Sequence, residues 1–313
     1  MPEHLWSLVL GSGDVSRALA SDAAPKQFRR LDTDHSLFEA TLARADALGA
    51  PERTVAVVTS GHMRFWSSQL TGRPFDNIIV QVASRGSAVG VLLGLDAILA
   101  RDPDADVVLL PSDQHVTDET TFAHAVRRAL KASRQARCVV ALGVIPEGPA
   151  ADLDWIVPAA QPSRGLARVA RVVERASAEE ARRLMALGAV VSPEVLVGRA
   201  EAFHALFEAA VPAFTQDVDG LVASSLSNLW LRNADLSRCD FASDVLARSL
   251  DHVRVMPAPP CGWSTVVTQE HLRQALHAPP TDRKGKRPRV GTLQGVAVAL
   301  TARPEEPRAR VVA

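Results

Sequence analysis

The sequence carries no excess of either charge: 35 Lys and Arg balance 35 Asp and Glu. That balance removes the electrostatic case for a nucleic-acid or membrane surface, since both need a field of one sign. The one basic cluster, Arg283-Lys284-Gly285-Lys286-Arg287, lies in a Pro-rich stretch and reads as a solvated tail. Cysteine is scarce. Cys138, Cys239 and Cys261 are too widely spaced for a zinc or redox motif, so reduced thiols in a cytoplasm are the simplest account. No apolar run reaches the roughly 18 residues that a membrane helix needs. Met1-Pro2-Glu3-His4 offers neither a basic n-region nor a small-residue cleavage site. The expectation is a soluble, cytoplasmic protein without nucleic-acid or membrane partners.

What is present is an alternation of short apolar runs and longer amphipathic segments. Residues 5–10, 54–59, 77–82, 107–110 and 137–144 read as strands, several of them apolar at nearly every position, as in a parallel sheet covered on both faces. Residues 37–48, 88–100 and 121–133 read as helices, the last opened by the capping residues Asp118-Glu119-Thr120. This order predicts an α/β fold with a doubly wound, mostly parallel, Rossmann-like sheet. After about residue 150 the pattern loosens: 168–174 reads as a strand, 178–187 and 194–209 as helices, 253–257 as a strand, and the apolar stretch 290–300 as a further candidate. The division is one domain over residues 1–277 and a Pro/Arg-rich tail over 278–313.

Ligands of open α/β sheets bind outside the carboxyl ends of the strands. The first strand runs into Gly11-Ser12-Gly13-Asp14, where glycines let the backbone approach a phosphate, and Lys26 follows in Pro25-Lys26-Gln27-Phe28. An ordinary glycine turn with a surface lysine fits that segment equally well. The spacing is neither a Walker loop nor a Gly-x-Gly-x-x-Gly turn, which sets aside a dinucleotide-dependent enzyme. The fourth strand ends in Pro111-Ser112-Asp113-Gln114-His115, where Asp113 is placed either to hold Mg²⁺ or to cap a turn. His115 beside it reads equally as a packed or exposed histidine.

Together these segments resemble the sugar-1-phosphate nucleotidyltransferases, with the mannose-1-phosphate guanylyltransferases the nearest in look. The resemblance rests on six motifs in register over about residues 5–275: Leu8-Val9-Leu10-Gly11-Ser12-Gly13, Pro25-Lys26-Gln27-Phe28, Asn77-Ile78-Ile79 leading to Arg85-Gly86-Ser87-Ala88, Leu110-Pro111-Ser112-Asp113, Val172-Val173-Glu174-Arg175 and Gly262-Trp263-Ser264. Leu142-Gly143-Val144-Ile145-Pro146 agrees with them. The resemblance implies a nucleotide-diphospho-sugar transferase-like fold and Mg²⁺ or another divalent cation. It implies transfer from GTP, or another nucleoside triphosphate, to a hexose 1-phosphate such as mannose 1-phosphate. By the same resemblance Gly11, Ser12 and Gly13 cradle the nucleotide, Lys26 meets the triphosphate, and Arg85, Ser87 and Ala88 border base and ribose. Asp113 holds the metal, Glu174 contacts the sugar and Arg175 the sugar phosphate.

The departures from the family pattern fall at the site. Val15 stands where the family has arginine, and Arg17, two residues on, reaches the triphosphate only if the loop is rebuilt. Thr265 replaces the second metal carboxylate, Ala151-Asp152-Leu153-Asp154 replaces a glycine-rich segment, and Val191-Ser192-Pro193 replaces a sugar-contacting one. Asp152 or Asp154 is a candidate substitute for the lost carboxylate. Two readings follow: an active nucleotidyltransferase, and a catalytically weak or inactive relative that binds nucleotide or nucleotide sugar as a regulatory or partner subunit. The sequence leaves the oligomeric state open, a homo-oligomer included.

Overall fold

The structure, a computed structural model, describes residues 3–12, 24–30, 35–82, 85–146, 148–159, 165–224 and 235–265. All lie in one unit, Met1–Pro280; the unit Thr281–Ala313 falls outside the described residues, as does the whole of the expected tail with its stretch 290–300.

The first half alternates as its periodicity predicts. Strand β1 (Leu5–Leu10) leads to helix α1 (Leu37–Leu48), β2 (Thr54–Thr59), the short α2 (Met63–Trp66), β3 (Ile78–Gln81), α3 (Ser87–Leu99) and β4 (Asp106–Pro111). These four strands are parallel and lie in the order β3-β2-β1-β4. On β1 the pleat sends Trp6 and Leu8 into the core on one face and Leu5 and Val9 into the core on the other. Helix α1 is started by a reciprocal cap in which the Ser36 hydroxyl accepts from the Glu39 N–H and the Glu39 carboxylate accepts from the Ser36 N–H.

The two-residue β5 (Gln114–His115) precedes α4 (Glu119–Ala136), and β6 (Val139–Val144) follows it. Helix α4 runs three residues past its expected end and stops at Arg137, a left-handed cap, so the strand begins later than residue 137. Next come β7 (Trp155–Pro158), β8 (Ala167–Val173), α5 (Ala178–Ala186), β9 (Val190–Val191), β10 (Leu196–Arg199), α6 (Ala200–Ala210), α7 (Pro212–Ser224), β11 (Val253–Ala258) and β12 (Ser264–Thr265).

Among the described residues, ten strands form one sheet in the order β11-β8-β7-β9-β6-β10-β4-β1-β2-β3, with β11 also parallel to β6. The α/β fold class therefore stands, with antiparallel pairings concentrated in the second half. One expected element is corrected. The helix read over residues 194–209 begins only at Ala200, because Leu196–Arg199 is a strand wedged antiparallel between β4 and β6. Gly198 lets that strand lie close to its neighbour: a Cβ there would stand 3.3 Å from Val139 Cγ2. Tertiary pairing overrides a local apolar pattern that suits either element.

Candidate active site

Between β1 and β4 the direction of winding reverses, which opens a crevice at the carboxyl ends of these strands. Gly11 and Ser12 leave β1 there, and Ser112 and Asp113 leave β4. The Ser112 hydroxyl donates to the Leu10 carbonyl at 2.7 Å and ties the two exits together. The Gly11 N–H still bonds Val57 O at 2.7 Å. Glycine here also has a packing reason that the sequence did not reveal: a Cβ would stand 2.8 Å from the Phe38 ring.

Pro25 opens a single helical turn, Lys26–Phe28. Two side chains anchor that turn. Phe28 packs edge-on against Phe38 with ring centroids 5.2 Å apart, and Gln27 donates from Nε2 to the Gly11 carbonyl at 3.2 Å. Lys26 is thereby turned into the crevice, where its Nζ stands 2.5 Å from Asp113 Oδ2. The lysine expected at a triphosphate and the aspartate expected at a metal, 87 residues apart, form one ion pair.

Gln114 organises the far wall. It pairs with Thr265 across β5 and β12, accepts from Trp263 Nε1 at 2.9 Å, and donates from Nε2 to the Pro193 carbonyl. These bonds bring Thr265 and the residue after Pro193, Glu194, to the mouth beside Asp113. Glu194 adopts a left-handed backbone (φ 51°). Glu194 is exposed to water here although neighbouring groups crowd it. That crowding, with the carboxylates of Asp113, Asp154 and Asp240, pushes its carboxyl up to about 7, and Lys26 opposes the shift.

Of the acids noted in the loop, Asp154 belongs to this cluster: its Oδ1 accepts the Arg175 N–H at 2.8 Å and its carbonyl accepts the Ser192 N–H at 2.8 Å. Asp152 is exposed, in a left-handed turn (φ 61°) whose N–H bonds Ala176 O. Glu174 and Arg175 are exposed just beyond β8, and Asp154 links Arg175 to the crevice. His115 is half-buried, and burial together with the Arg44 guanidinium lowers its pKa, which keeps the ring neutral at pH 7.

Arg85, Ser87 and Ala88 lie at the amino end of α3, held by residues 239–241. Cys239 donates to Arg85 O at 2.9 Å, Ala88 donates to Cys239 O at 3.1 Å, and Ser87 Oγ accepts the Phe241 N–H at 2.9 Å. Gly86 permits this closeness with φ 93°; a Cβ there would stand 2.0 Å from the Cys239 carbonyl oxygen. Gly13, Val15 and Arg17 lie outside the described residues.

Sequence reasoning missed two groups. Glu194 was hidden inside an expected helix. Gln81, at the end of β3, is buried with both amide atoms unpartnered. Its Nε2 and the Ser12 hydroxyl flank the space a Gly90 Cβ would occupy, at 3.4 and 3.5 Å. An unpaired amide in the core is costly, so such groups mark places kept for a ligand or water. The donors near Asp113 are hard oxygens, from Glu194 and the Thr265 hydroxyl, and that set suits Mg²⁺ and not a thiolate-loving metal.

No family model matches the chain. The mannose-1-phosphate guanylyltransferase of Escherichia coli (strain K12) is 27% identical over 194 residues, covering 59% of this chain and 40% of that protein. The xanthan biosynthesis protein XanB of Xanthomonas campestris pv. campestris (strain B100) is 27% identical over 275 residues, covering 82% of this chain and 56% of that protein. The chain thus spans about half the length, or less, of these curated relatives. Among solved structures, that of mannose-1-phosphate geranyltransferase from Thermus thermophilus matches with a TM-score of 0.77 at 25% identity, covering 89% of this chain and 81% of that one. Common architecture, sequence similarity through most of the chain and the strand-end motifs agree: the chain is similar in sequence and fold to the sugar-1-phosphate nucleotidyltransferases.

Proposed function

We propose that this protein transfers a nucleotidyl group from a nucleoside triphosphate, GTP foremost, to a hexose 1-phosphate, mannose 1-phosphate foremost, and releases pyrophosphate. The observation that carries the reading is the Lys26–Asp113 pair at the switch point between β1 and β4. A phosphate oxygen of the sugar 1-phosphate attacks the α-phosphorus, the bond from that phosphorus to the α–β bridging oxygen breaks, and pyrophosphate leaves with the electron pair. No proton need move, so the protein's task is positioning and charge neutralisation.

Lys26 neutralises the triphosphate. Asp113, with Glu194 and the Thr265 hydroxyl beside it, would hold Mg²⁺, which when bound offsets the charge on the phosphates. Arg175, held to the crevice wall through Asp154, meets the sugar phosphate, and Glu174 meets the sugar. Ser12, the amino end of α3 and the paired donor and acceptor of Gln81 border the nucleoside. Arg17 and Gly13 complete the triphosphate cradle in this reading.

The test is calorimetric titration with GTP and the other nucleoside triphosphates, with and without Mg²⁺, beside a pyrophosphate-release assay with mannose 1-phosphate. Mg²⁺-dependent release abolished by Asp113→Asn and by Lys26→Met supports the reading. No release with any triphosphate and sugar phosphate pair overturns it.

A further inference from the structure

Helices α3, α6 and α7 pack against one another behind the sheet, and each contributes one metal-binding side chain to their junction: Asp96, His204 and Asp219. Asp96 lies nine residues beyond Ser87, about 13 Å along α3 and away from the crevice. We propose that these three residues form a second metal site, for a divalent ion of the zinc class, that staples the three helices together. The site is independent of the nucleotidyl-transfer reading.

Three features point to a cation. His204 Nε2 stands 3.3 Å from Asp219 Oδ1 and 3.8 Å from Asp96 Oδ1. Ligand atoms around one tetrahedral zinc, each about 2.0–2.1 Å from it, stand about 3.3–3.4 Å apart, so a small inward movement brings all three into place. The other ring nitrogen, His204 Nδ1, faces Glu208 Oε1 at 3.4 Å. A ligating histidine ordinarily gives its second N–H to a carboxylate, and Glu208 stands on the side of the ring that would take that role when Nε2 exchanges its contact with Asp219 for a metal. Finally, the Asp96 side chain is only 10% exposed, and its Oδ2 is buried without a hydrogen-bond partner. A dication placed between them would meet the imidazole, both carboxylates and the unpaired oxygen at once.

The donor set separates this site from the crevice. Imidazole with two carboxylates suits zinc and its first-row neighbours, whereas Mg²⁺ prefers oxygen ligands alone. Three protein ligands leave one position for water.

The experiment uses the untagged full chain, stripped with a chelator and kept in excess Mg²⁺. Zn²⁺ is titrated in competition with a chromophoric chelator, Co²⁺ is used as a visible-absorption probe of tetrahedral geometry, and thermal unfolding is followed in parallel. The expected result is one equivalent of Zn²⁺ bound more tightly than about 100 μM, a tetrahedral Co²⁺ spectrum, and a raised Tm. Affinity should fall by about 100-fold or more in His204→Ala and in Asp219→Asn, by about 10-fold in Glu208→Gln, and stay unchanged in Asp113→Asn. Asp219 is 45% exposed, so its variant reports on binding even if His204→Ala does not fold. Absence of binding, binding that survives Asp219→Asn, or binding lost in Asp113→Asn overturns the proposal.

Discussion

Lys26 faces more negative charge than its ion-pair partner alone accounts for, and this makes a sharp prediction about stability. Removing the lysine leaves Asp113, Glu194, Asp154 and Asp240 sharing the crevice mouth without that cation. Removing the Asp113 carboxylate instead relieves the same crowding while sacrificing the pair. The pair is partly solvated, with side chains 21% and 28% exposed, so screening reduces its worth to about 1–2 kcal/mol. Lys26→Met should therefore destabilise the metal-free protein by about that amount, or about 2–4 °C in Tm for a domain of this size. Asp113→Asn should change Tm by less than about 1 °C, or raise it, because the lost attraction is offset by lost repulsion. Both variants should lack pyrophosphate release. Scanning calorimetry of the two variants and the parent in chelator at pH 7.5 decides the matter. If Asp113→Asn lowers Tm as much as Lys26→Met, the carboxylates do not repel one another as argued, and the account of the cleft fails.

Thr265→Asp places a second carboxylate opposite Gln114 and should tighten Mg²⁺ binding by calorimetry; unchanged affinity would remove Thr265 from the metal's surroundings. Gly86→Ala combines a glycine-only backbone with a 2.0 Å approach to the Cys239 carbonyl, so it should cost at least about 3 kcal/mol in a urea titration, and a cost below about 1 kcal/mol would contradict that contact. Arg134→Ala leaves Asp106, only 2% exposed, without its ion-pair partner and should cost about 3 kcal/mol, recovered in part by adding Asp106→Asn; no recovery would show that the loss is not one of charge. All three thiols are buried, and burial pushes those of Cys239 and Cys261 up to about 11. At pH 8 an aromatic disulfide reagent should therefore react within minutes only after unfolding, and prompt reaction of the native protein would refute their burial.

The glycine exit from β1 and Asp113 were legible because each lies just beyond an apolar run that could only be a covered strand, and open sheets bind ligands at such ends; Lys26, in a separate turn well past β1, was legible from its charge near that exit and from the family resemblance. The same reasoning placed β1, β2, α1 and α3 to within a residue or so. It failed for β10, since Leu196-Val197-Gly198-Arg199 has no strand signal apart from the neighbours it pairs with. With that element went Glu194, whose place beside Asp113 depends on a Gln114 bond to Pro193 that no local pattern encodes. Gln81 was invisible for a related reason: its identity is ordinary, and only burial without a partner makes it informative. The cluster of Asp96, His204 and Asp219 is the same case, built from one residue on each of three helices. Periodicity along the chain thus determined which strands and turns exist, because burial of one or both faces is a local constraint repeated every two or four residues. Which distant charges meet was decided by the tertiary structure alone, because an electrostatic neighbour depends on distance in space and leaves no period in the sequence.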